Sequence, residues 1–384
     1  MRPSFETVHG GVAVIDPIER HSYVLSTPES VAPESIERER FRFPVDAAAS
    51  IRTSAITLPS VVLTYVHDEN GMVLTQAEHF AAEELPPGEY TVELCAPVKL
   101  YLRVESSVAL RADAERMTID FGDVTDVAVG ARSHHARPAT TVTTTTDPED
   151  MMQAVSVFAS ALKTTSVERS YPTLRGHPPT LAVGDELDLA GLSAPDTGVT
   201  IEVPPDYRHI FVVSSLAYYL GARIVPGDEP LLCTSDGFEY SLKGRGEFER
   251  TVENTLKQVF FLDCLVRTEG FYPVDLHERR ALESELDLDF AALYEYSLAE
   301  RLEVYLSVPF ETISAHLPEW KLTTHVEPTP QNAEMLPFVV SDLAIVRCST
   351  PEAATNPALA VSDGGTVLAA RSDDEFTRST GAAV

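Results

Sequence analysis

Apolar and polar side chains alternate along residues 61 to 104, and that two-residue period allows little but β-structure. Val98, Leu100, Leu102 and Val104 are separated by Lys99, Tyr101 and Arg103. Only an extended strand sends successive side chains to opposite faces. Upstream, Val61, Leu63 and Tyr65 lead into Asp68-Glu69-Asn70-Gly71, and residues 72–75 return. Asn-Gly accepts positive φ at both central positions of a tight turn, so a hairpin is predicted. Pro86-Pro87-Gly88 turns the chain into Tyr90, Val92 and Leu94, and residues 117–121 and 124–129 supply further strands. The expectation for residues 1–137 is an antiparallel β-sandwich with one face buried and one wet.

The remainder changes period. Pro138 and the threonine-rich run 140–146 suggest a linker or a last edge strand. Asp147-Pro148-Glu149-Asp150 then combines an N-cap, a first-turn proline and first-turn acids. Met152, Val155, Phe158, Ala159 and Leu162 follow at helical spacing. Residues 210–213 are a short apolar run predicted as a buried strand, with a short helix over 216–220 capped by Gly221. Strands are expected at 199–203, 321–326 and 343–346, and a hairpin at Asp236-Gly237 between 231–234 and 238–242. Long helices are predicted over 247–269 and 289–306. Strands alternating with helices give a larger mixed α/β domain over 147–349. The Ala-, Ser- and Gly-rich residues 350–384 suggest a flexible tail.

The chain has 29 basic and 59 acidic residues, so its net charge is 29 − 59 = −30. Residues 1–137 carry 12 basic and 21 acidic groups (−9) and residues 138–384 carry 17 and 38 (−21), so the charge is spread along the whole chain. Lys99, Lys163, Lys243, Lys257 and Lys321 are the only lysines. Such self-repulsion is screened when molar salt shortens the Debye length to about 3 Å, which points to halophilic adaptation. Nucleic acid is excluded as a partner, because phosphate contacts need Lys and Arg. No stretch approaches the roughly 18 apolar residues of a membrane span, and the first residues lack a signal-peptide core, so a cytoplasmic location is expected. Cys95, Cys233, Cys264 and Cys348 form no C-x-x-C pair and suggest free thiols.

No phosphate-loop, zinc or nucleophile-elbow motif occurs, and no cofactor or metal is expected. Gly244-Arg245-Gly246 precedes a helix and suits a helix cap better than an anion site. His134 and His135 would face opposite sides of a strand, so a surface or linker pair is expected rather than metal ligands. Cys264 lies in an apolar helical stretch that should raise its pKa and leave it inert. Two clusters stand out in a chain so poor in cations. Arg169, Arg175 and His177 lie in a proline-framed segment, and Arg267, Glu269 and Tyr272 close the first long helix. Arginine forks suit carboxylate or phosphate recognition, whereas ties to local acids and helix carbonyls would make the same residues structural.

Residues 169–179, 214–222, 256–272 and 336–347 resemble a family of uncharacterised haloarchaeal proteins. Longer members of that family continue into a C-terminal caspase-like region of the CHAT type. No His followed by an Asn-x-Cys-like motif occurs in this chain, so the resemblance implies a recognition or regulatory half, with a caspase-like effector among its possible partners. A segment around residues 55–105 also resembles small Ig-like or transthyretin-like β-sandwich modules, which bind partners or act as spacers.

Two functions therefore compete. One is a non-catalytic protein binding a protein, a peptide or a small anionic ligand. The other is an α/β hydrolase using Arg175/His177 and Arg267/Glu269. Arg175 and Arg267 are expected to approach one shared cleft, with Tyr272 as its wall, which would hold phosphate, sulfate or a partner's carboxylate. The charge yields a first prediction. Circular dichroism should show a folded chain in molar KCl and lost structure in dilute buffer, and an unchanged melting temperature at low salt would refute the halophilic reading.

Overall fold

The computed structural model describes residues 1–244, 248–272 and 274–349. The expected helix start at Glu247, Arg245-Gly246 and the tail 350–384 lie outside the described residues.

Ten strands build the first part: β1 (Ser4–Val8), β2 (Gly11–Asp16), β3 (His21–Ser26), β4 (Glu34–Ser35), β5 (Ala47–Leu58), β6 (Thr64–His67), β7 (Val73–Ala77), β8 (Ala82–Leu94), β9 (Lys99–Ala112) and β10 (Met117–Arg132). All belong to one antiparallel sheet in the order β1-β2-β3-β5-β10-β9-β8-β6-β7, with β4 added to β5. Hydrogen bonding thus joins what a sandwich would divide into two sheets. The long strands carry register breaks, between Leu85 and Gly88 in β8 and between Asp120 and Thr125 in β10. Such bulges bend a strand and increase its twist. One side of the sheet encloses a core of Val14, Leu25, Ile56, Val92, Leu102 and Ile119. The Asn70-Gly71 hairpin forms between β6 and β7, but Thr64 and Val66 take the buried positions there while Tyr65 is half-buried.

The expectation of a wet second face fails at Tyr101. Its ring is fully buried, stacked on Phe43 with centroids 4.9 Å apart, in a second small core with Phe41, Val45 and the helical region's Phe271 and Tyr272. Alternation shows only that a strand has two faces, and here the helical half of the chain covers part of the second one.

That half contains β11 (Thr141–Thr144), α1 (Pro148–Ser156), β12 (Thr180–Val183), β13 (Val199–Val203), α2 (Tyr207–Leu220), β14 (Arg223–Pro226), β15 (Leu231–Thr234), β16 (Glu239–Ser241), α3 (Phe248–Val266), α4 (His277–Leu282), α5 (Phe290–Glu295), α6 (Leu298–Ser307), α7 (Phe310–Ser314), β17 (Thr323–Val326), α8 (Leu336–Ser341) and β18 (Ile345–Cys348). Three small sheets, β11-β12, β14-β13-β15-β16 and β17-β18, surround the helices. The threonine-rich run is a strand, paired in parallel with β12, and not a linker. α1 starts as its sequence predicts, with the Asp147 side chain accepting from the Glu149 amide.

Two expectations about helices are also overturned. Residues 210–220 are one helix, α2, capped by Asp206 and by Gly221 at φ 61°. Every residue from Ile210 to Leu220 is buried. A helix enclosed on all sides lacks an apolar stripe, so its apolar runs resemble a buried strand. The helix predicted over 289–306 is two, α5 and α6, divided at Tyr296-Ser297. Ser297 and Glu300 form a reciprocal capping box that starts α6.

Sheet and helical region are joined by polar as well as aromatic contacts. Lys163 Nζ lies 2.8 Å from Asp46, and the Tyr272 hydroxyl donates to Glu93 at 2.9 Å. Glu93 also meets His67 at 2.7 Å and Lys99 at 2.5 Å. Burial pushes the Glu93 carboxyl up, but His67, Lys99 and Tyr272 outweigh it and hold it at about 2. A folded-state pKa below the unfolded value means the contribution is whole above about 4.5 and fades as the pH falls toward about 2. Urea unfolding across this window should show wild type losing stability with acid more steeply than Glu93→Gln, and equal slopes would deny the junction its role.

Candidate functional site

The buried polar centre of the helical region starts with Asp263 on α3. It stands in a run of large apolar residues and has no exposed surface. A carboxylate there needs partners, since an isolated buried charge costs several kcal/mol. Arg169, equally buried, brings Nη2 to 2.7 Å from Asp263 Oδ2. The hydroxyls of Tyr219 on α2 and Tyr305 on α6 donate to the same carboxylate at 2.7 and 3.3 Å. Arg301 of α6 adds a second buried guanidinium, donating to the Tyr296 carbonyl at 2.5 Å and, with Arg169, to that of Thr165. Burial raises the Asp263 carboxyl, and the two arginines and two tyrosines oppose that rise. Arg169 also covers the Tyr219 ring, its guanidinium carbon 4.8 Å from the centroid.

Arg175 and Arg267 do converge, on Ser170. Arg175 Nη1 donates to the carbonyls of Arg169 at 2.7 Å and Ser170 at 3.0 Å, while Arg267 Nη1 donates to Ser170 Oγ at 3.0 Å. Burial pushes the Arg175 guanidinium down. Arg267 covers the Tyr171 ring at 3.9 Å, and Tyr171 packs edge-on against Tyr272 at 5.7 Å. Carbonyls, a hydroxyl and aromatic faces therefore occupy these cations. Glu168, fully buried beside them, accepts from the Phe271 amide and the Tyr294 hydroxyl at 2.9 and 3.1 Å, and burial raises its carboxyl.

The other two candidates stand apart. Glu269 is exposed and pairs with Arg279 at 2.9 Å. His177 turns Nδ1 to the Pro178 carbonyl at 2.7 Å and sets its ring edge-on to Phe338. The Arg175/His177 and Arg267/Glu269 pairs thus share Ser170 through their arginines alone, and the catalytic arrangement expected of them is not assembled. Cys264 behaves as its apolar setting predicts, with burial pushing the thiol up to about 11.

His135 corrects the expectation of a surface pair. Only His134 is exposed, whereas His135 is buried at φ 49°, tight against Gly176. Burial, with Lys163 nearby, lowers its imidazole to about 4. Among the described residues no group of three or more His, Cys, Asp and Glu is arranged to hold a metal ion, and no helix is long and apolar enough to cross a membrane.

A cavity of about 400 Å³ lies elsewhere, between the start of β1 and the β4–β5 pair. Arg2, Ser4, Ser35, Arg38 and Asp46 give it polar walls, and Phe5, Ile36 and Ala48 are apolar. Asp46 Oδ2 is already engaged by Lys163 at 2.8 Å and by the Ser133 amide at 2.9 Å. Arg2 and Arg38 make no ion pair within 4 Å among the described residues. This site escapes sequence reading because its residues are scattered between Arg2 and Ala49 and match no spacing motif. The Asp263 centre did carry a signal: a lone acid in an apolar helix calls for a buried cation.

Comparison with protein-family models and with curated proteins finds no match for this chain.

Asp263→Asn should cost about 3–5 kcal/mol, because it leaves Arg169 buried without a counter-charge. Glu269→Gln, at an exposed carboxylate that shares Arg279 with Glu283, should cost about 1 kcal/mol or less. Urea midpoints of the two variants check this, and equal small losses would mean that Asp263 does not hold the helices together.

Proposed function

We propose that this chain is a recognition protein without a reaction of its own, and that it takes a small anionic ligand between Arg2 and Arg38. The observation that carries this reading is a concave site framed by two arginines without acidic partners, in a chain of net charge −30. Where carboxylates outnumber cations two to one, an arginine left without an acid is available to an external anion. The cavity volume suits a small molecule. Asp46 does not oppose such a ligand, since Lys163 neutralises it.

In the same reading the acidic composition belongs to a halophilic, haloarchaeal and cytoplasmic protein. The resemblance of residues 169–179, 214–222, 256–272 and 336–347 to haloarchaeal proteins with a caspase-like extension supports a regulatory role beside such an effector. Residues 1–137 then act as a binding module built on the large antiparallel sheet, with residues 147–349 packed against it as a mixed α/β region.

Inorganic phosphate and succinate should raise the melting temperature in proportion to RT ln(1 + [L]/Kd). Excluded salts stabilise folded proteins generally, so the control is Arg2→Ala/Arg38→Ala. Loss of the ligand-dependent rise in that variant supports the proposal, and identical rises in both proteins overturn it.

A further inference from the structure

The two ends of the large sheet differ in chemistry. β1, at one end, exposes Ser4, Glu6 and Thr7. β7, at the other, is paired on one side only, with β6, and exposes Val73 and Leu74 in succession after exposed Met72. An edge strand presents unpaired amides and carbonyls, and natural sheets usually blunt such edges with charge or proline. β7 has neither: its sequence is Val-Leu-Thr-Gln-Ala.

The turn after β7 adds a second observation. The Ala81 amide donates to the Glu78 carbonyl at 3.1 Å, placing Phe80 third in a four-residue turn, at φ 62°. Glycine or asparagine ordinarily holds that position, because a bulky side chain is strained at positive φ. Phe80 nevertheless stands there with 75% of its surface exposed. It contributes nothing to the core, so its own packing does not offset the strain, and such outliers gather at binding sites.

Charge identifies the occupant. No Lys or Arg occurs between Arg52 and Lys99. Glu84 and Glu89 pair with Arg111 and Arg103, Glu93 is buried, and Arg42 packs against Gly71. The residues next to β7 in the chain still bring Asp68, Glu69, Glu78 and Glu83 without an ion pair among the described residues. A second copy pairing edge to edge would set these acids against themselves. Residues 350–384 of this chain carry five acids and two arginines, and are no better suited. We propose that the free edge of β7, with Leu74 and Phe80, docks an extended segment of a partner protein in which apolar residues alternate with Arg or Lys. Backbone pairing would supply affinity, and alternate side chains would reach the apolar and acidic surfaces. This site lies at the sheet end opposite the Arg2/Arg38 cavity and stands independently of it.

A fluorescent peptide of about eight residues alternating valine and arginine, titrated with the full chain in about 0.5 M KCl, tests the proposal by anisotropy. It should bind saturably, and a valine–glutamate peptide should not. Leu74→Lys and Phe80→Gly should each weaken binding by about tenfold or more. Phe80→Gly should at the same time raise the melting temperature, since glycine relieves the turn, so its loss of binding cannot come from misfolding. Four results overturn the proposal. These are no saturable binding, binding unchanged in both variants, a dimer in sedimentation that Leu74→Lys dissolves, and displacement of the probe by a synthetic peptide of residues 350–384.

Discussion

The pairing of Arg169 with Asp263 is the interaction on which the helical half depends. It joins the segment before β12 to the last turn of α3, and through Tyr219 and Tyr305 it draws in α2 and α6. A carboxylate with four polar neighbours tolerates few alternative packings, because a shifted helix would leave a charge uncompensated in the core. Such a centre supplies specificity more than net stability: its desolvation cost offsets much of the attraction, whereas removing one partner is severe. The remaining cations follow from it. Arg175 ties to the carbonyls of Arg169 and Ser170, and Arg267 to the Ser170 hydroxyl, so an arginine-rich segment that resembles a ligand site serves to hold a loop against a helix.

The same segment governs how the helical region meets the sheet. Gly270 leaves no room for a side chain beside the Glu168 carboxylate, and Phe271 and Tyr272 then reach Phe43 in the second core. Glu93, from the sheet, receives the Tyr272 hydroxyl. Junction and polar centre are therefore one connected structure, and Asp46 carries the junction to the wall of the Arg2/Arg38 cavity.

Much of the local structure was legible in the sequence: the strands around residues 90–104, the hairpins at Asn70-Gly71 and Asp236-Gly237, and the Asp147 cap of α1. The capping box at Ser297 was legible too, but the apolar spacing across 289–306 hid it, since a helix period continues through a short break. The candidate site fared differently. Arg169, Arg175, Arg267 and Tyr272 do assemble, as residues rich in chemistry should, but Glu269 and His177 find partners of their own. Composition can show that arginine is scarce, yet it cannot show which carbonyl or carboxylate each arginine will meet.

What the sequence by itself determined is what neighbouring residues decide together: strand alternation, turns that need positive φ, helix caps and the overall charge. Tertiary structure alone decided which side of β9 is wet, whether residues 210–213 are strand or helix, and which arginines remain available. The reason is physical. Backbone preferences act over a few residues, whereas burial and charge compensation depend on groups such as Phe43 and Tyr101, or Arg169 and Asp263, that lie far apart in sequence and meet only when the chain is folded.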